Sequence, residues 1–315
     1  MTPPILYIVI PCYNEQEALP ITAKRMTELL DDMTQKKLID DKSRVALVDD
    51  GSKDDTWKVI ASLHANDGRF EGIKLAHNAG HMNALWAGMT TVVDKCDCLV
   101  TIDADLQDDV NAIYGFLEKY AAGADIVYGV RDNRDTDTAF KRATALGFYK
   151  LMDKLGVETV SNHAEYRLMS QRAVRALLSF GEVNMFLRGM VPLLGFNTDK
   201  VYYSRGERVA GETKYPLKKM IAFAIEGITS FSNKPIRFVT YAGILAALLG
   251  FVMAIYTLVS FCTGHTVAGW ASIMMSVWLL GGIQLIALGL IGEYIGKIYM
   301  ETKRRPKFIL QEYLD

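Results

Sequence analysis

The sequence predicts an α/β fold: a mostly parallel, Rossmann-like sheet with helices on both faces, followed by a two-helix transmembrane hairpin. Three observations carry this prediction. Short apolar runs alternate with helical patterns through residues 5–130. The runs show no polar alternation, which is typical of parallel strands buried on both sides. Two uncharged stretches, residues 238–262 and 266–292, are each longer than the about 20 helical residues that span a bilayer.

Five strands are predicted in the first half of the chain. They are ILYIVI (5–10), RVALV (44–48), GIKLA (72–76), CLVTI (98–102) and DIVYGV (125–130). In such sheets, ligands bind outside the carboxyl ends of the strands. Polar segments follow four of these ends, namely PCYNE, DDGSKDD, DADLQDD and RDNR. We therefore expect the functional site at that edge of the sheet.

The two uncharged stretches predict a membrane hairpin within residues 236–296, because the link between them is too short for anything but antiparallel helices. Lys and Arg flank the outer ends of the hairpin, whereas its tip has neither. The positive-inside rule then places both chain ends in the cytoplasm, and we expect a bacterial plasma membrane. Residues 1–214 would form a cytoplasmic catalytic domain, and residues 297–315 a basic cytoplasmic tail.

Two further segments have the pattern of helices that lie in the membrane interface. Residues 139–156 place large apolar side chains near helical spacing, with Lys and Arg at other positions. A helix packed on the core of the globular domain is the alternative for that segment. Residues 215–235 lead into the first predicted span and carry Lys218 and Lys219, so we predict a juxtamembrane amphipathic helix there.

Composition and missing motifs narrow the function classes. The formal net charge of −1 provides no basic excess to neutralise nucleic-acid phosphates, so no nucleic-acid partner is expected. The mean hydropathy of +0.11 is high for a soluble enzyme, because of the two uncharged stretches. The four cysteines lack the spacing of a zinc site and are expected to be buried thiols. Neither a G-x-G-x-x-G fingerprint nor a P-loop follows the first strand, so a bound nucleotide would need a metal ion for its phosphates.

The segment TIDADLQDD concentrates carboxylates directly after the fourth predicted strand. Asp103 and Asp105 alternate with an alanine, and Gln107 adds a neutral oxygen donor. Oxygen ligands of this kind suit Mg²⁺ or Mn²⁺, so these three residues are the predicted metal ligands. A solvated acidic loop is the alternative. Asp108 and Asp109 are predicted to cap the helix that follows.

Seven ordered segments resemble the family 2 glycosyltransferases of GT-A fold. They are IPCYNE, VDDGSKDDT, HNAGHMNALWAGM, IDADLQDD, YGVRDNR, AEYRLMS and RVAGETKYP. Within that family the chain is similar to the polyprenyl-phosphate glycosyltransferases, which include bactoprenol glucosyltransferases and dolichol-phosphate mannose synthase. The resemblance extends over essentially the whole chain. It implies a GT-A sheet, a nucleotide-sugar donor, a lipid phosphate acceptor and Mg²⁺ or Mn²⁺ as cofactor.

The resemblance also implies roles for matched residues. The residues that would hold the nucleotide sugar are Pro11, Tyr13, Glu15, Asp49, Asp50, Asp103 and Ala104. The acceptor phosphate would be bound by Arg131, Arg205 and Lys214. The residues implied at the reaction itself are Asp105, Glu165, Arg131 and Arg205. Glu165 stands where relatives usually have Asp and where a catalytic base has been proposed, and His81 stands where Lys is common.

Together these features predict inverting transfer of a sugar from a UDP-sugar to undecaprenyl phosphate or another polyprenyl phosphate. Glucose or N-acetylglucosamine is the favoured sugar, and the product would serve to modify cell-surface polymers. A processive polysaccharide synthase is one alternative, but its Q-x-x-R-W motif and additional spans are missing. The other alternative is a non-enzymatic scaffold that binds nucleotide sugars. Such a protein could lose its catalytic groups, whereas this chain has both metal carboxylates and the arginines. Relatives suggest a homo-oligomer, with a tetramer favoured.

Overall fold

The computed structural model describes residues 2–131, 163–183, 187–204 and 269–315, together with scattered positions between 236 and 263. Several predictions lie outside these residues: the interfacial helices at 139–156 and 215–235, most of the first span, and the side chains of Arg205 and Lys214.

The chain divides into two units. Residues Met1–Tyr149, Glu158–Pro216 and Arg305–Asp315 form the first, and residues Lys150–Val157 and Leu217–Arg304 form the second. The described strands of the first unit are β1 (Leu6–Cys12), β2 (Arg44–Asp49), β3 (Phe70–Leu75), β4 (Cys98–Thr101), β5 (Ile126–Arg131), β6 (His163–Ser170), β7 (Thr198–Tyr203) and β8 (Leu310–Leu314). Its described helices are α1 (Leu19–Gln35), α2 (Thr56–Asn66), α3 (His81–Val92), α4 (Ala112–Ala121), α5 (Gln171–Leu178) and α6 (Leu187–Leu193). The second unit contains α7 (Trp270–Thr302).

All eight strands belong to one sheet, in the order β7-β5-β6-β4-β1-β2-β3-β8. The β1 strand pairs in parallel with β2 and β4, as β2 does with β3 and β5 with β7. The β6 strand runs antiparallel between β4 and β5, and β8 runs antiparallel along β3. The predicted α/β class with a mostly parallel sheet is therefore confirmed. The two antiparallel strands, β6 and β8, were not among the predicted ones.

Helices cover both faces of the sheet, as predicted. Alternate residues of β1 point to opposite faces. Ile8 and Ile10 belong to a buried cluster that includes Met26 of α1. Val9, on the other face, lies against Gly88 of α3, where an added Cβ would come within 2.4 Å of the valine. Each fully buried aliphatic side chain of this kind contributes about 1.5–3 kcal/mol, so these layers hold the strand ends in place.

The C-terminal residues differ from the prediction of a basic tail at 297–315. The α7 helix continues past the predicted end of the span at Gly292 and ends at Thr302, and Leu310–Leu314 form the edge strand β8. The pairing of β8 with β3 joins these residues to the sheet of the first unit. Residues 310–314 are thus part of the sheet instead of a free tail, and no local pattern after the predicted span indicated their distant partner β3.

A buried carboxylate ties β8 to the rest of the sheet. Glu71 of β3 is only 3% exposed. Its Oε1 accepts a hydrogen bond from the Tyr7 hydroxyl at 2.8 Å, and its Oε2 accepts one from the Tyr313 hydroxyl at 2.5 Å. Lys95 Nζ donates to the Tyr313 oxygen at 2.6 Å. A buried carboxylate is costly unless it is hydrogen-bonded, so Tyr313 stabilises both the charge and the strand.

We expect Tyr313→Phe to lower the free energy of unfolding by about 1–3 kcal/mol, because the buried carboxylate of Glu71 loses a hydrogen-bond donor. Tyr202→Phe is the matched control, since Tyr202 lies on the opposite edge strand with 64% of its surface exposed. Thermal unfolding of the purified full-length protein in detergent measures both variants. Equal Tm values for the two would contradict the role given to Tyr313.

In the second unit, Leu280–Thr302 is long and apolar enough to cross a membrane by length and composition. Among the residues that the structure describes, it is the one stretch that meets this test. Leu285 and Ile286 of this helix are 71% and 73% exposed, so large apolar side chains face outward. Exposed apolar surface of this kind is typical of a membrane-associated helix.

Candidate functional site

Polar side chains gather at one edge of the sheet, beyond the carboxyl ends of β1, β2 and β4. This edge carries a cleft of about 340 Å³. Its lining residues are Pro11, Cys12, Tyr13, Glu15, Asp50, Asn78, Gly80, His81, Ala84, Asp103, Ala104 and Asp105. The structure thus brings the predicted nucleotide-sugar residues together in one cleft, apart from Asp49, and places Asp105 beside them.

The loops after β1 and β2 hold each other in place along one wall of the cleft. The backbone N–H of Asn14 donates to Ser52 Oγ at 3.0 Å, and Asn14 Oδ1 accepts from the N–H of Lys53 at 2.8 Å. The N–H of Glu15 donates to Thr56 Oγ1 at 2.8 Å. These hydrogen bonds satisfy loop backbone groups that would otherwise need water, and they fix the two loops to each other.

The loop before α3 forms the opposite wall and is held by Asp50. The two carboxylate oxygens of Asp50 accept the N–H groups of Ala79 and Gly80, at 2.7 and 3.0 Å. Gly51 adopts φ +65°, and a Cβ there would lie 2.5 Å from Asn78 N. Only glycine permits this approach. Sequence reasoning missed Asn78 and Gly80; the glycine directly after DD in VDDGSKDDT was the available signal.

Asp49 lies behind the cleft and carries an unsatisfied oxygen. The residue is 1% exposed, and its Oδ1 accepts the N–H of Ser52 at 3.0 Å. Its Oδ2 is buried and has no hydrogen-bond partner among the described residues. A buried acceptor left unpaired costs about 1–3 kcal/mol, so a ligand donor at this oxygen would be favourable. Burial raises the pKa of Asp50, and the charge of Asp49 adds to this, while the two backbone N–H bonds to Asp50 act against it.

The loop that follows β4 is anchored to α1. Thr22 Oγ1 donates to the carbonyl oxygen of Ala104 at 2.8 Å. Leu106 adopts φ +51°, and the turn lets the N–H of Gln107 donate to Asp105 Oδ1 at 3.2 Å. The strained residue is held by a fixed loop, an arrangement that recurs at functional sites.

Asp103 is one of the two carboxylates of this loop that line the cleft. Its side chain is still 40% exposed at the cleft surface, and its Oδ1 lies 3.5 Å from Nε2 of His81. Surrounding protein atoms nevertheless desolvate the carboxyl group and raise its pKa, and the charges of Asp108, Asp105 and Glu165 raise it further. His81 acts in the opposite direction. Of these neighbouring carboxylates, Asp108 and Glu165 are themselves paired with arginines, whereas Asp103 and Asp105 line the cleft.

Asp103 and Asp105 both line the cleft, and carboxylate oxygens are the kind of ligand that Mg²⁺ and Mn²⁺ prefer. Gln107 is 8% exposed and does not line the cleft. Within the described ranges, no group of three or more His, Cys, Asp or Glu side chains is placed to hold a metal ion. Asp103, Asp105 and Gln107 therefore stay predicted metal ligands, of which the two aspartates line the cleft.

Asp108 differs from its predicted capping role. It is 3% exposed and accepts hydrogen bonds from Arg131 Nη2 at 3.0 Å and from the Tyr203 hydroxyl at 2.6 Å. The α4 helix begins after Asn111 with no side-chain cap, and Asp109 Oδ1 accepts the N–H of Asn111 at 2.9 Å instead. The capping prediction was wrong for Asp108, whereas Asp109 accepts a backbone N–H in the turn that leads into α4. Asp108 turned inward because its arginine and tyrosine partners come from the ends of β5 and β7.

Glu165, at the start of β6, is held by two arginines. It is 5% exposed, and its Oε2 accepts from Nη2 of Arg167, which is also buried. Its Oε1 accepts from Arg188 Nε at 2.8 Å. Arg188 lies on α6 and is 32% exposed at its side chain. Sequence reasoning missed Arg188; the signal was a single arginine inside the apolar run MFLRGMVPLLG.

Comparison with known proteins identifies the family of the chain. Residues 7–178 match the family described as Glycosyl transferase family 2. The chain belongs to glycosyl transferase family 2. The resemblance found in the sequence motifs is thereby confirmed. Residues 234–298 of this family 2 glycosyltransferase also match a second family, the GtrB C-terminal hairpin, in the region where the membrane hairpin was predicted.

Relatives of this family 2 glycosyltransferase match over nearly the full chain. It is 52% identical to an uncharacterized glycosyltransferase of Bacillus subtilis, over 98% of this chain and 91% of that protein. It is 38% identical to the bactoprenol glucosyl transferase of Shigella phage SfV, over 96% of this chain and 97% of that protein. A solved mannosyltransferase from Pyrobaculum calidifontis, in complex with GDP-Man and Mn²⁺, aligns with a TM-score of 0.44 at 15% identity, over 93% of this chain and 87% of that one.

Proposed function

We propose that the protein transfers a sugar from a UDP-sugar to undecaprenyl phosphate or another polyprenyl phosphate, with inversion at the anomeric carbon. One observation carries the proposal: Tyr13, Asp50, Asp103 and Asp105 line the same cleft at the carboxyl edge of the sheet. Glucose is the first choice of sugar, because relatives over nearly the full chain are named bactoprenol glucosyl transferases. N-acetylglucosamine is the alternative donor sugar.

The donor occupies the side of the cleft formed by β1, β2 and the loop before α3. Tyr13 is 41% exposed there and offers a ring on which a base can stack. The unpaired Oδ2 of Asp49 supports hydrogen bonding to an N–H of the base. Glu15 lines the same wall and suits the ribose hydroxyls as an acceptor. These groups would bind the base and the ribose. The chain has no glycine-rich loop of the kind that binds phosphates in other nucleotide-binding folds.

Asp103 and Asp105 hold Mg²⁺ or Mn²⁺ beside the diphosphate in this proposal. When bound, such a cation acts as a Lewis acid that stabilises the negative charge of the departing nucleoside diphosphate. The surroundings of Asp103 support this role. Burial raises the pKa of Asp103, and the charges of nearby carboxylates raise it further. A bound cation would offset the repulsion between these charges.

The chemical step exchanges one phosphate ester of the anomeric carbon for another. An oxygen of the lipid phosphate forms the new bond on the face opposite the donor diphosphate, and the old carbon–oxygen bond breaks to release UDP. The attacking phosphate is already ionised near neutral pH, so no proton has to be removed. Both oxygens of Glu165 accept hydrogen bonds from arginines, which supports a mechanism in which Glu165 does not act as a base. We assign it a positioning role instead of that of a base.

Arg131 is proposed to bind the acceptor phosphate, since Asp108 and Tyr203 orient its guanidinium while 29% of its side chain stays exposed. Arg205 and Lys214 stay predictions for the same phosphate. The apolar α7 helix supports attachment to the membrane where such a lipid resides. A cytoplasmic catalytic domain with cytoplasmic ends, and a tetrameric assembly, also stay predictions.

The proposal is tested by incubating membranes that contain the full-length protein with radiolabelled UDP-glucose, undecaprenyl phosphate and MgCl₂ or MnCl₂. We expect label in the organic phase as a monophosphate-linked glycolipid, and loss of that label with EDTA. Label in an insoluble polymer would instead indicate a synthase, and donor binding without any product would indicate a scaffold. A parallel reaction with UDP-N-acetylglucosamine distinguishes the two donor sugars.

A further inference from the structure

Arg188 is a half-exposed arginine whose orientation is fixed by a buried carboxylate. Its Nε donates to Glu165 Oε1 at 2.8 Å, and the Glu165 side chain is 6% exposed against 32% for that of Arg188. Arg167, the other partner of Glu165, is only 2% exposed at its side chain and also donates from Nη1 to the carbonyl oxygen of Leu187 at 3.5 Å. Arg167 therefore holds the carboxylate from the interior, and Arg188 meets it from the surface.

The terminal nitrogens of Arg188 have no partner in the part of the chain that the structure describes. Among the described residues, its one hydrogen-bonding or ionic contact is the bond from Nε to Glu165. A guanidinium presents five N–H donors in a planar fork, and that fork pairs bidentately with phosphate oxygens. Fixing the group at Nε reduces the side-chain entropy that a ligand would otherwise have to overcome.

Arg131, at the end of the neighbouring strand β5, is oriented by a buried carboxylate in the same way. Its Nε and Nη2 donate to Asp108 at 3.2 and 3.0 Å. Its side chain is 29% exposed, while that of Asp108 is 3% exposed. Two partly exposed guanidiniums are therefore each oriented by one buried carboxylate. Arg131 lies at the end of β5, and Arg188 lies on α6 and pairs with Glu165 of β6. Thr101 Oγ1, at the end of β4, donates to the carbonyl oxygen of Glu165 at 2.5 Å, and Asp108 follows Asp105 by three residues, so both pairs lie near the loop that carries the cleft carboxylates.

Strand order separates these arginines from the donor residues. In the sheet order β7-β5-β6-β4-β1-β2-β3-β8, Asp103 and Asp105 follow the central strand β4. Tyr13, Glu15 and the loop held by Asp50 lie on the β1–β3 side, whereas β5 and β6 lie on the other. A phosphate on the arginine side would therefore approach the cleft carboxylates from the direction opposite the nucleoside.

We propose that Arg188 is a second guanidinium for the phosphate of the acceptor, acting together with Arg131, and that Glu165 is the residue that positions it. The ligand class is a phosphomonoester dianion, which two fork-shaped cations can share. This inference rests on the proposed function for the identity of the lipid, but the phosphate site itself does not require turnover.

Arg188→Gln and Arg188→Lys in the full-length protein test the proposal by steady-state kinetics. We expect Arg188→Gln to lower kcat/KM for the acceptor by about 10- to 100-fold, the loss typical of a charge-assisted hydrogen bond. The Kd for UDP should stay within about twofold of the original protein. Arg188→Lys should recover part of the loss, because it keeps the charge but not the fork. Arg175→Gln is the matched control, since Arg175 pairs with Asp94 at 2.8 Å and is 57% exposed.

A merely structural role predicts a different outcome. If Arg188 only fixes α6 to β6, then Arg188→Gln lowers Tm and weakens donor and acceptor alike, and that result overturns the proposal. Should the glutamine variant fail to fold, Arg188→Lys decides: a stable variant with a raised acceptor KM supports the site, and an unchanged KM rejects it.

Inorganic phosphate provides a probe that is independent of glycosyl transfer. Phosphate should raise the Tm of the original protein and of Arg175→Gln, and the rise should be smaller for Arg188→Gln. Equal rises in all three proteins would reject the phosphate site. If the original protein transfers no sugar to polyprenyl phosphate but still shows this difference, the proposed function fails while the site at Arg188 stands.

Discussion

Asp105→Asn is expected to reduce sugar transfer by about 10³-fold while leaving the fold intact. The substitution removes one of two carboxylates that line the cleft, and a Lewis-acid cation contributes several kcal/mol to stabilising the transition state. At about 1.36 kcal/mol for each tenfold change in rate, the loss of about 4 kcal/mol corresponds to that factor. Transfer of labelled glucose to the lipid measures it, with increasing MnCl₂ to test whether a weaker cation site can be saturated.

Asp109→Asn is the control for that experiment, because Asp109 belongs to the same acidic segment but does not line the cleft. Its Oδ1 accepts hydrogen bonds from Asn111 in a local turn, and the asparagine side chain can keep an acceptor there. We expect activity within about twofold of the original protein, as for substitutions away from a functional feature. Normal turnover of Asp105→Asn in the presence of EDTA would refute the cation site.

Asp108→Ala is expected to have the largest effect on stability, about 3 kcal/mol of the free energy of unfolding. Arg131 and Tyr203 would both lose their buried acceptor, and removing one member of a buried ion pair typically costs 3–5 kcal/mol. We place the value at the lower end, because 29% of the Arg131 side chain is exposed and solvent screens part of the charge. Thermal unfolding in detergent measures the loss.

The same variant should weaken acceptor use more than donor binding, since Arg131 loses the group that orients it. Asp108→Asn is the companion variant: it keeps an oxygen acceptor for Tyr203 and should be more stable than Asp108→Ala, while acceptor kcat/KM still falls. A Tm for Asp108→Ala that matches the original protein would show that the pair contributes nothing to stability. Equal losses in UDP affinity and acceptor use would contradict the proposed orientation of Arg131.

Local sequence was sufficient for the strands that are buried on both faces. The runs in β1, β2 and β4 are continuous and apolar, and each is followed by polar residues that reach the same edge of the sheet. The parallel registers of β1 with β2 and β4 bring Pro11, Asp49 and the segment after Thr101 to that edge. The strand pattern and the rule for ligand position in α/β sheets are therefore sufficient to predict the edge of the sheet where the cleft lies.

Contacts between residues far apart in the chain could not be predicted from local sequence in the same way. Asp108 lies 23 positions from Arg131 and 95 positions from Tyr203, and local capping chemistry was the plausible reading of its segment. Arg188 reaches Glu165 across 23 positions, and nothing in an apolar helix predicts that partner. The β8 strand pairs with β3 across more than 230 positions, as between Ile73 and Tyr313. Such pairings depend on the register of the whole sheet.

The late position of β8 has a consequence for biosynthesis. The strand β7 ends at Tyr203 and β8 begins at Leu310, and both uncharged stretches lie between them. At about 5–20 residues per second, the ribosome needs roughly 5–20 s to translate that interval. During this time β3 is an edge strand without its partner β8, and the carboxylate of Glu71 lacks the hydrogen bond from Tyr313. The predicted membrane hairpin is therefore translated before β8 exists to complete the edge of the sheet.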